Sequence, residues 1–402
     1  MKAAVLGYGT VGSGVVHVIE ENHDVILEKS GIDLEVKYVL DLRDFPGDPI
    51  QERIVHDFKV IEEDPEIGVV AEVMGGTGAA YEFTKRLLKA GKSVSTSNKE
   101  LVAQHGTELL DIARENHVSY MFEASCGGGI PIIRPLRTCL NAERIDEITG
   151  IVNGTTNYIL TKMIEEDLEF SDALKEAQDM GYAERNPEAD IEGHDACRKI
   201  AILSSLAYGK RVDYKDIYTE GISRITAADI RYAEKMRKTI KLLAYSHLDD
   251  GKVLAMVAPY LVGQEDPLGA VKGVFNAIFV HGNMLGDAMF YGKGAGKDAT
   301  ASAVVSDLIE QAQTAGAPVM SGWSDEKQEM QDVKDSCRQF FVRIPSDEES
   351  LRQAAAVFGS GQFVNADIEG ETGLVTGILS EKDFADRLAE FGKAVSFIRI
   401  RD

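Results

Sequence analysis

The chain has 402 residues, too many for one hydrophobic core, and its length calls for two or three domains. With 44% hydrophobic residues it can fill ordinary cores, which excludes wholesale disorder. Its 66 acidic against 43 basic residues leave a net charge of −23, which repels phosphates and argues against nucleic acid or an anionic membrane as a partner. The same acidity would suit saline surroundings. Four cysteines, Cys126, Cys139, Cys197 and Cys337, form no C-x-x-C pair and fit a reducing compartment. The chain enters strand-like MKAAVLGYG at once, and no apolar run approaches the ~20 residues that span a bilayer. A soluble cytoplasmic protein is expected.

Lys2 to Leu6 reads as a short buried strand. Gly7-Tyr8-Gly9-Thr10-Val11-Gly12 follows, and VGSGVVHVIEEN continues with helical spacing of apolar residues. Gly7, Gly9 and Gly12 fit G-x-G-x-x-G, with Thr10 and Val11 inside it. The backbone there must turn tightly and approach a pyrophosphate seated on free N–H groups at a helix start. LEVKYVLD, GVVAEVM and KSVSTS read as further strands, separated by the helical stretches AAYEFTKRLLKAG and ELVAQHGTELLDIARENH. This alternation predicts an α/β, doubly wound parallel sheet of the Rossmann type. Asp41 at a strand end would accept from the adenosine ribose and favour NAD; Arg43 beside it would hold a 2′-phosphate and favour NADP. The spacing from the glycines leaves both open. Met74-Gly75-Gly76-Thr77 and Ser97-Asn98-Lys99 follow the carboxyl ends of two strands, where open sheets bind ligand. Lys99 would lie near the nicotinamide.

Further on, EASCGGGIPII (from Glu123) follows the strand VSYMF, and Asn153-Gly154-Thr155-Thr156-Asn157 ends the strand EITGIV. GYAERNPEADIEGHDACRKIAIL gathers Glu184, Glu188, Asp190, Glu192 and Asp195 just before an apolar helical run, with Lys199 four residues beyond Asp195. Asp195 and Lys199 at i and i+4 share one helix face. Together with GYGTVGSG, MGGT, TSNKELVA, VNGTTNYIL and YGKGAGKDATASAVVSDL, these motifs stand in an order that closely resembles homoserine dehydrogenase over residues 1 to 316.

The resemblance implies NAD(P)-dependent interconversion of L-homoserine and L-aspartate 4-semialdehyde, a step of threonine, methionine and isoleucine biosynthesis. It gives the acid cluster a zwitterionic ligand: Glu184, Asp190 and Asp195, with Thr155, suit its ammonium and hydroxyl, and lysines suit its carboxylate and developing alkoxide. By the same resemblance Lys199 is the proton donor, and Lys99 contacts substrate and nicotinamide; a lysine serves both directions if its pKa is drawn toward neutrality. The family also implies a sodium site, carried here by Glu123 and the backbone carbonyls of Cys126, Gly128 and Ile130; oxygen ligands suit a hard cation. Cys126 departs from the valine common in relatives, which leaves backbone ligation intact. The histidines lack zinc-ligand spacing.

GKVLAMVAPYLV and KGVFNAIFVHGNMLGDAMFYGKG read as strands of a mixed sheet whose back would pair with another subunit, giving a homodimer or homotetramer. By analogy, the helix from Thr300 returns to the nucleotide domain, and Gly296 approaches the cofactor. The expected boundaries are 1–142 completed by 300–316, then 143–299 for substrate and dimerisation. A linker at 317–336 leads to a ferredoxin-like βαββαβ domain at 337–402. That last domain is similar to ACT domains that some relatives carry for amino-acid feedback, but Pro345 leads into SDEES where a glycine-bearing turn commonly stands. A threonine effector and a purely structural role both stay open. Two rival functions stay open as well: an aldehyde dehydrogenase with Cys126 as nucleophile, and a non-catalytic NAD(P)-sensing protein.

Overall fold

The computed structural model describes residues 1–317, 322–359 and 361–401, which divide into two compact units. The first unit takes Met1–Ile145, Ala201–Tyr214 and Gly282–Gln328; the second takes Asp146–Ile200, Lys215–His281 and Glu329–Asp402. The stretches 201–214 and 282–299, expected with the substrate domain, thus pack with the nucleotide-binding part instead.

The first unit is built on a six-stranded sheet. Its strands are Lys2–Leu6, Glu35–Leu40, Ile54–Val55, Ile67–Glu72, Ser93–Thr96 and Tyr120–Met121. Numbered along the chain, they run 3-2-1-4-5-6 and every pair is parallel. This is the doubly wound order, as expected. The strands are short and mostly buried because helices cover both faces. Helix Thr10–Glu21 turns Val15, Val16 and Ile19 inward, and they meet Ala301, Val304, Val305 and Leu308 of helix Lys297–Gln313 in one buried cluster.

In the second unit the longest pair, Lys238–Asp249 with Lys252–Gly263, is antiparallel over its whole length. Asp250 and Gly251 join them with φ of 44° and 80°, the double positive φ of a tight hairpin turn. Strand Ile145–Ile151 pairs on the other side of Lys238–Asp249. The C-terminal part has strand Phe340–Pro345, helix Glu348–Phe358, strands Gln362–Val364 and Glu371–Val375, helix Glu381–Phe391 and strand Ser396–Ile400. Its four strands lie in spatial order 4-1-3-2 and are all antiparallel, the ferredoxin-like arrangement. Phe340 stacks on Phe384 at 3.7 Å between centroids inside this layer's own core. Its last strand also pairs in parallel with the long hairpin, Tyr260 opposite Arg399 and Leu261 opposite Ile400, so one sheet runs through both parts of the unit.

Of the expected linker, residues 318–321 lie outside the described residues. The remainder is partly ordered by pairing: strand Ser324–Lys327 lies beside Lys210–Arg211, and Trp323 is buried with its indole N–H on Thr107. Its polar composition hid this.

Candidate active site

The glycine loop does what its spacing requires. Gly7 has φ of +95°, and a Cβ at Gly12 would overlap the Gly7 carbonyl. Gly9 caps helix Thr10–Glu21, whose first turn carries no acid to repel an anion. At the next two strand ends a lock holds the ligand-facing loops. Glu72 is fully buried and accepts from Thr96 Oγ1 at 2.6 Å and from the Met74 N–H at 2.8 Å. Thr96 Oγ1 accepts from the Asn98 N–H at 2.9 Å, and Asn98 Nδ2 donates to the Gly76 carbonyl at 2.6 Å. Burial pushes the Glu72 carboxyl up to about 7, against the weaker pull of those two hydrogen bonds. Asn98 caps helix Lys99–Glu115 and so places Lys99 at its first residue; Thr77 caps helix Gly78–Lys89. Ser97 lies between, its N–H on the Glu72 carbonyl.

Asp41 stands at the end of strand Glu35–Leu40. One oxygen accepts from the Arg43 N–H and Nε, both at 3.0 Å; the other accepts from the Tyr8 N–H and Arg43 Nη2, both at 2.9 Å. The Arg43 guanidinium holds this carboxyl well below the usual range. Arg43 is folded back on Asp41 and over the Phe45 ring, while Leu42 beside it is 94% exposed.

In the second unit the acid stretch contributes one buried carboxylate, Asp195, and the half-buried Asp190. Helix His194–Tyr208 carries Asp195 and Lys199 one turn apart, 3% and 9% exposed. Lys199 Nζ donates to Asp195 Oδ2 at 2.7 Å and to the Val152 carbonyl at 2.6 Å. Asn153 caps helix Gly154–Glu166 with its Oδ1, while its Nδ2 donates to Asp190 Oδ1 at 2.7 Å and Asp195 Oδ2 at 2.9 Å. One amide therefore ties two carboxylates and a helix start. Thr155 Oγ1 donates to the Tyr182 carbonyl at 2.7 Å, which draws the Tyr182 loop onto the same helix. Glu184 is exposed and joins this network only through its backbone, where its carbonyl accepts from Gln178.

The Glu123–Ile130 loop belongs to the first unit. Glu123 was expected to offer oxygen to a cation; its carboxylate accepts from the N–H groups of Ile132, Ile133 and Arg134 at 2.6, 2.9 and 2.7 Å, two of them on Oε1 and one on Oε2. It caps the turn that begins there. Asp307, buried on helix Lys297–Gln313, accepts from the Glu123 N–H and Arg134 Nη2, both at 3.0 Å, and from Ser95 Oγ at 3.1 Å. Burial first, and then the Glu123 charge, push the Asp307 carboxyl up to about 7. Gly127 and Gly128 are left-handed, and a Cβ at Gly128 would overlap the Gly294 carbonyl two residues before Gly296, the cap of helix Lys297–Gln313. The carbonyls of Cys126, Gly128 and Ile130, the other expected cation ligands, belong to the same loop. Among the described residues no group of three His, Cys, Asp or Glu side chains could hold a metal.

The expected residues fall into two sets. The glycines, Thr10, Val11, Asp41, Arg43, Thr77, Ser97, Lys99, the Glu123–Ile130 loop and Gly296 belong to the first unit; Thr155, Glu184, Asp190, Asp195 and Lys199 belong to the second. Sequence reasoning passed over Glu72 and named Asn98 and Asn153 only within their motifs, without a role. The two asparagines each precede a helix, which is a readable cap signal. A lone Glu in the strand GVVAEVM carried no signal but its incongruity in an apolar run.

An open parallel sheet with a glycine loop at a helix start, coupled with a buried lysine–carboxylate pair, defines a nucleotide-dependent oxidoreductase. Comparison with known proteins carries this further. The model of the homoserine dehydrogenase NAD binding domain matches residues 7–123, and that of homoserine dehydrogenase matches 131–309. Homoserine dehydrogenase of Bacillus subtilis is 39% identical, over 96% of this chain and 94% of its own. A crystal structure of a homoserine dehydrogenase from Thiobacillus denitrificans superposes with a TM-score of 0.93 at 32% identity, covering all of this chain and 98% of that one. A hyperthermophilic archaeal homoserine dehydrogenase mutant in complex with NADPH is 31% identical with a TM-score of 0.65; it matches 77% of this chain and 97% of its own. The chain belongs to the homoserine dehydrogenase family, whose members are NAD(P)-dependent oxidoreductases.

Proposed function

We propose that the chain interconverts L-homoserine and L-aspartate 4-semialdehyde, with Lys199 moving the proton. The observation that carries this reading is the Lys199–Asp195–Asn153–Asp190 network. Asp190 and Asp195 hold the substrate ammonium and hydroxyl with Glu184 and Thr155. For a hydride to leave the fourth carbon the hydroxyl proton must be taken up; Lys199 in its neutral amine form would accept it, and as the ammonium would return it in the reverse direction. Lys99 meets the substrate carboxylate and the nicotinamide edge. When bound, the cofactor would supply the hydride acceptor, or the donor in the reverse direction, and the Gly7–Gly12 loop and helix start would hold its pyrophosphate.

Both nicotinamide cofactors are proposed, with Arg43 as the selector. Asp41 already accepts four donors, three of them from Arg43. With NADP the guanidinium turns to the 2′-phosphate; with NAD it stays on Asp41. Sodium is proposed in the Glu123–Ile130 loop through carbonyl oxygens, a donor set that suits a hard monovalent ion. A second copy of the chain is proposed against strand Gly286–Lys293, whose alternation leaves Met289 and Tyr291 exposed, with Met284 and Leu285 in the turn before it. An ACT-like role for residues 337–402, with an amino acid as effector, is supported by a cavity of about 570 Å³ lined by Glu220, Arg224, Asp229, Leu388, Val395 and Ser396. No helix among the described residues is long and apolar enough to cross a membrane, and a cytoplasmic site is proposed.

One set of rates tests reaction, cofactor, cation and effector together: homoserine oxidation with NAD and with NADP, each with and without sodium and threonine. No turnover with either cofactor would remove the central reading. Equal rates without sodium would remove the cation, and a Cys126→Ala variant devoid of activity would favour a thiohemiacetal mechanism.

A further inference from the structure

The turn that links Asp190 to Asp195 is clamped from outside. Gly193 within it is left-handed (φ 80°), and its N–H donates to the Asp190 carbonyl at 3.0 Å. Across from it, the Ile222 N–H donates to the Ile191 carbonyl at 2.8 Å. Gly221 lies so close that a Cβ there would overlap the Ile191 carbonyl and the Glu192 Cα. The residue before it, Glu220, is fixed twice. Its N–H donates to the Val257 carbonyl at 2.8 Å, and its carboxylate Oε2 accepts from Arg399 Nη1 at 2.6 Å and from the Tyr218 hydroxyl at 3.0 Å.

Arg399 is 2% exposed, and the rest of its guanidinium donates to Glu381, Nε at 2.7 Å and Nη2 at 3.0 Å. Arg399 sits on the last strand of the βαββαβ part, and Glu381 begins its second helix. An unbroken run of contacts thus leads from the C-terminal layer through Glu220 and Gly221 to the turn between the two aspartates.

We infer that Glu220 is a positioning residue: its ion pair with Arg399 fixes how Gly221 bears on the Ile191–Gly193 turn, and so where Asp190 and Asp195 meet the substrate. This rests on the reading that those two aspartates bind substrate. Changing one member of a buried charge pair shifts its surroundings at a cost, and the Gly221 backbone next to Glu220 lies directly against the turn. Lys199 has a second anchor on the Val152 carbonyl, so the loss falls on substrate affinity before proton transfer.

The test is steady-state kinetics of the full-length enzyme, for wild type, Glu220→Gln, Arg399→Gln, the double variant and Arg399→Lys. Each Gln single raises the homoserine KM roughly three- to tenfold, with kcat within about twofold and the cofactor KM unchanged. The double variant is no worse than the worse single, because both act through one contact, and Arg399→Lys recovers part of the affinity. A merely structural pair would lower the melting temperature and leave the homoserine KM alone. A wild-type KM in folded Glu220→Gln, whose side chain still fits, overturns the inference even if Arg399→Gln does not fold; so do effects that multiply in the double. Failure of wild type to oxidise homoserine would sink the activity itself, a result separable from either.

Discussion

Two buried acid clusters in this protein use the same residue types for opposite ends. Around Glu123 the donors are three backbone N–H groups, and around Asp307 they are an N–H, a hydroxyl and Arg134. None of these donors can give up its proton at ordinary pH. Around Asp195 the donors are Asn153 and Lys199 side chains. An ammonium is a stronger acid than a guanidinium or a backbone N–H, and a side chain can exchange one partner for a ligand. The identity of the donors, more than the depth of burial, separates a post from a working site.

That contrast breaks most plainly at Lys199. Replacing it by Ala should lower kcat about 10²–10⁴-fold while nicotinamide cofactor still binds, as read by fluorescence titration. A variant that keeps more than a tenth of the rate would place the proton elsewhere. The matching change in the other cluster, Glu123→Gln, should act on stability. Its amide would turn an N–H₂ toward one of three backbone donors, costing about 3 kcal/mol, visible as a lower melting temperature. Unchanged stability there would mean the carboxylate is not the post described.

Glu72 sharpens the comparison through pH. Its carboxyl is raised from 4.5 to about 7 by burial. Between those values the unfolded chain has lost the proton while the folded chain keeps it. Stability from this group is therefore complete below pH 4.5 and falls as pH rises toward 7. Glu72→Gln removes that slope, and the variant should gain roughly 2–3 kcal/mol on wild type between pH 4.5 and 7.5. Urea unfolding in a pH series reads it; parallel curves would show that Glu72 is charged in the folded protein.

The first unit was the more legible, for a physical reason. Its strand, glycine loop and helix are adjacent in sequence, so periodicity and turn chemistry suffice. The second unit assembles Asn153, Asp190, Asp195 and Lys199 by tertiary packing, and only the Asp195–Lys199 spacing is local. The long strand Lys238–Asp249 went unread because Lys241 interrupts its apolar run; that lysine is buried, donating to Asn157 and the Val271 carbonyl, with its pKa lowered by burial to about 8. The Asp250-Gly251 turn after it was a legible hairpin signal. The ferredoxin-like order of the C-terminal part was readable from its alternating strands and helices, but its continuation into the long hairpin was not, since two residue pairs carry the junction.

The smallest expected effect belongs to Cys126. A nucleophilic thiol must be reachable by its substrate and charged by a nearby base. Cys126 is wholly buried in the glycine loop, and Ser125 Oγ lies 3.8 Å from its sulfur. A buried thiol is out of a substrate's reach, and the loop's proposed chemistry runs through carbonyls that Ala would leave in place. Cys126→Ala should therefore keep homoserine oxidation within about twofold and shift stability by about 1 kcal/mol. Sodium dependence, measured on the same variant, should also persist; its loss with turnover intact would mean that the packing of this side chain, rather than the backbone alone, shapes the cation loop.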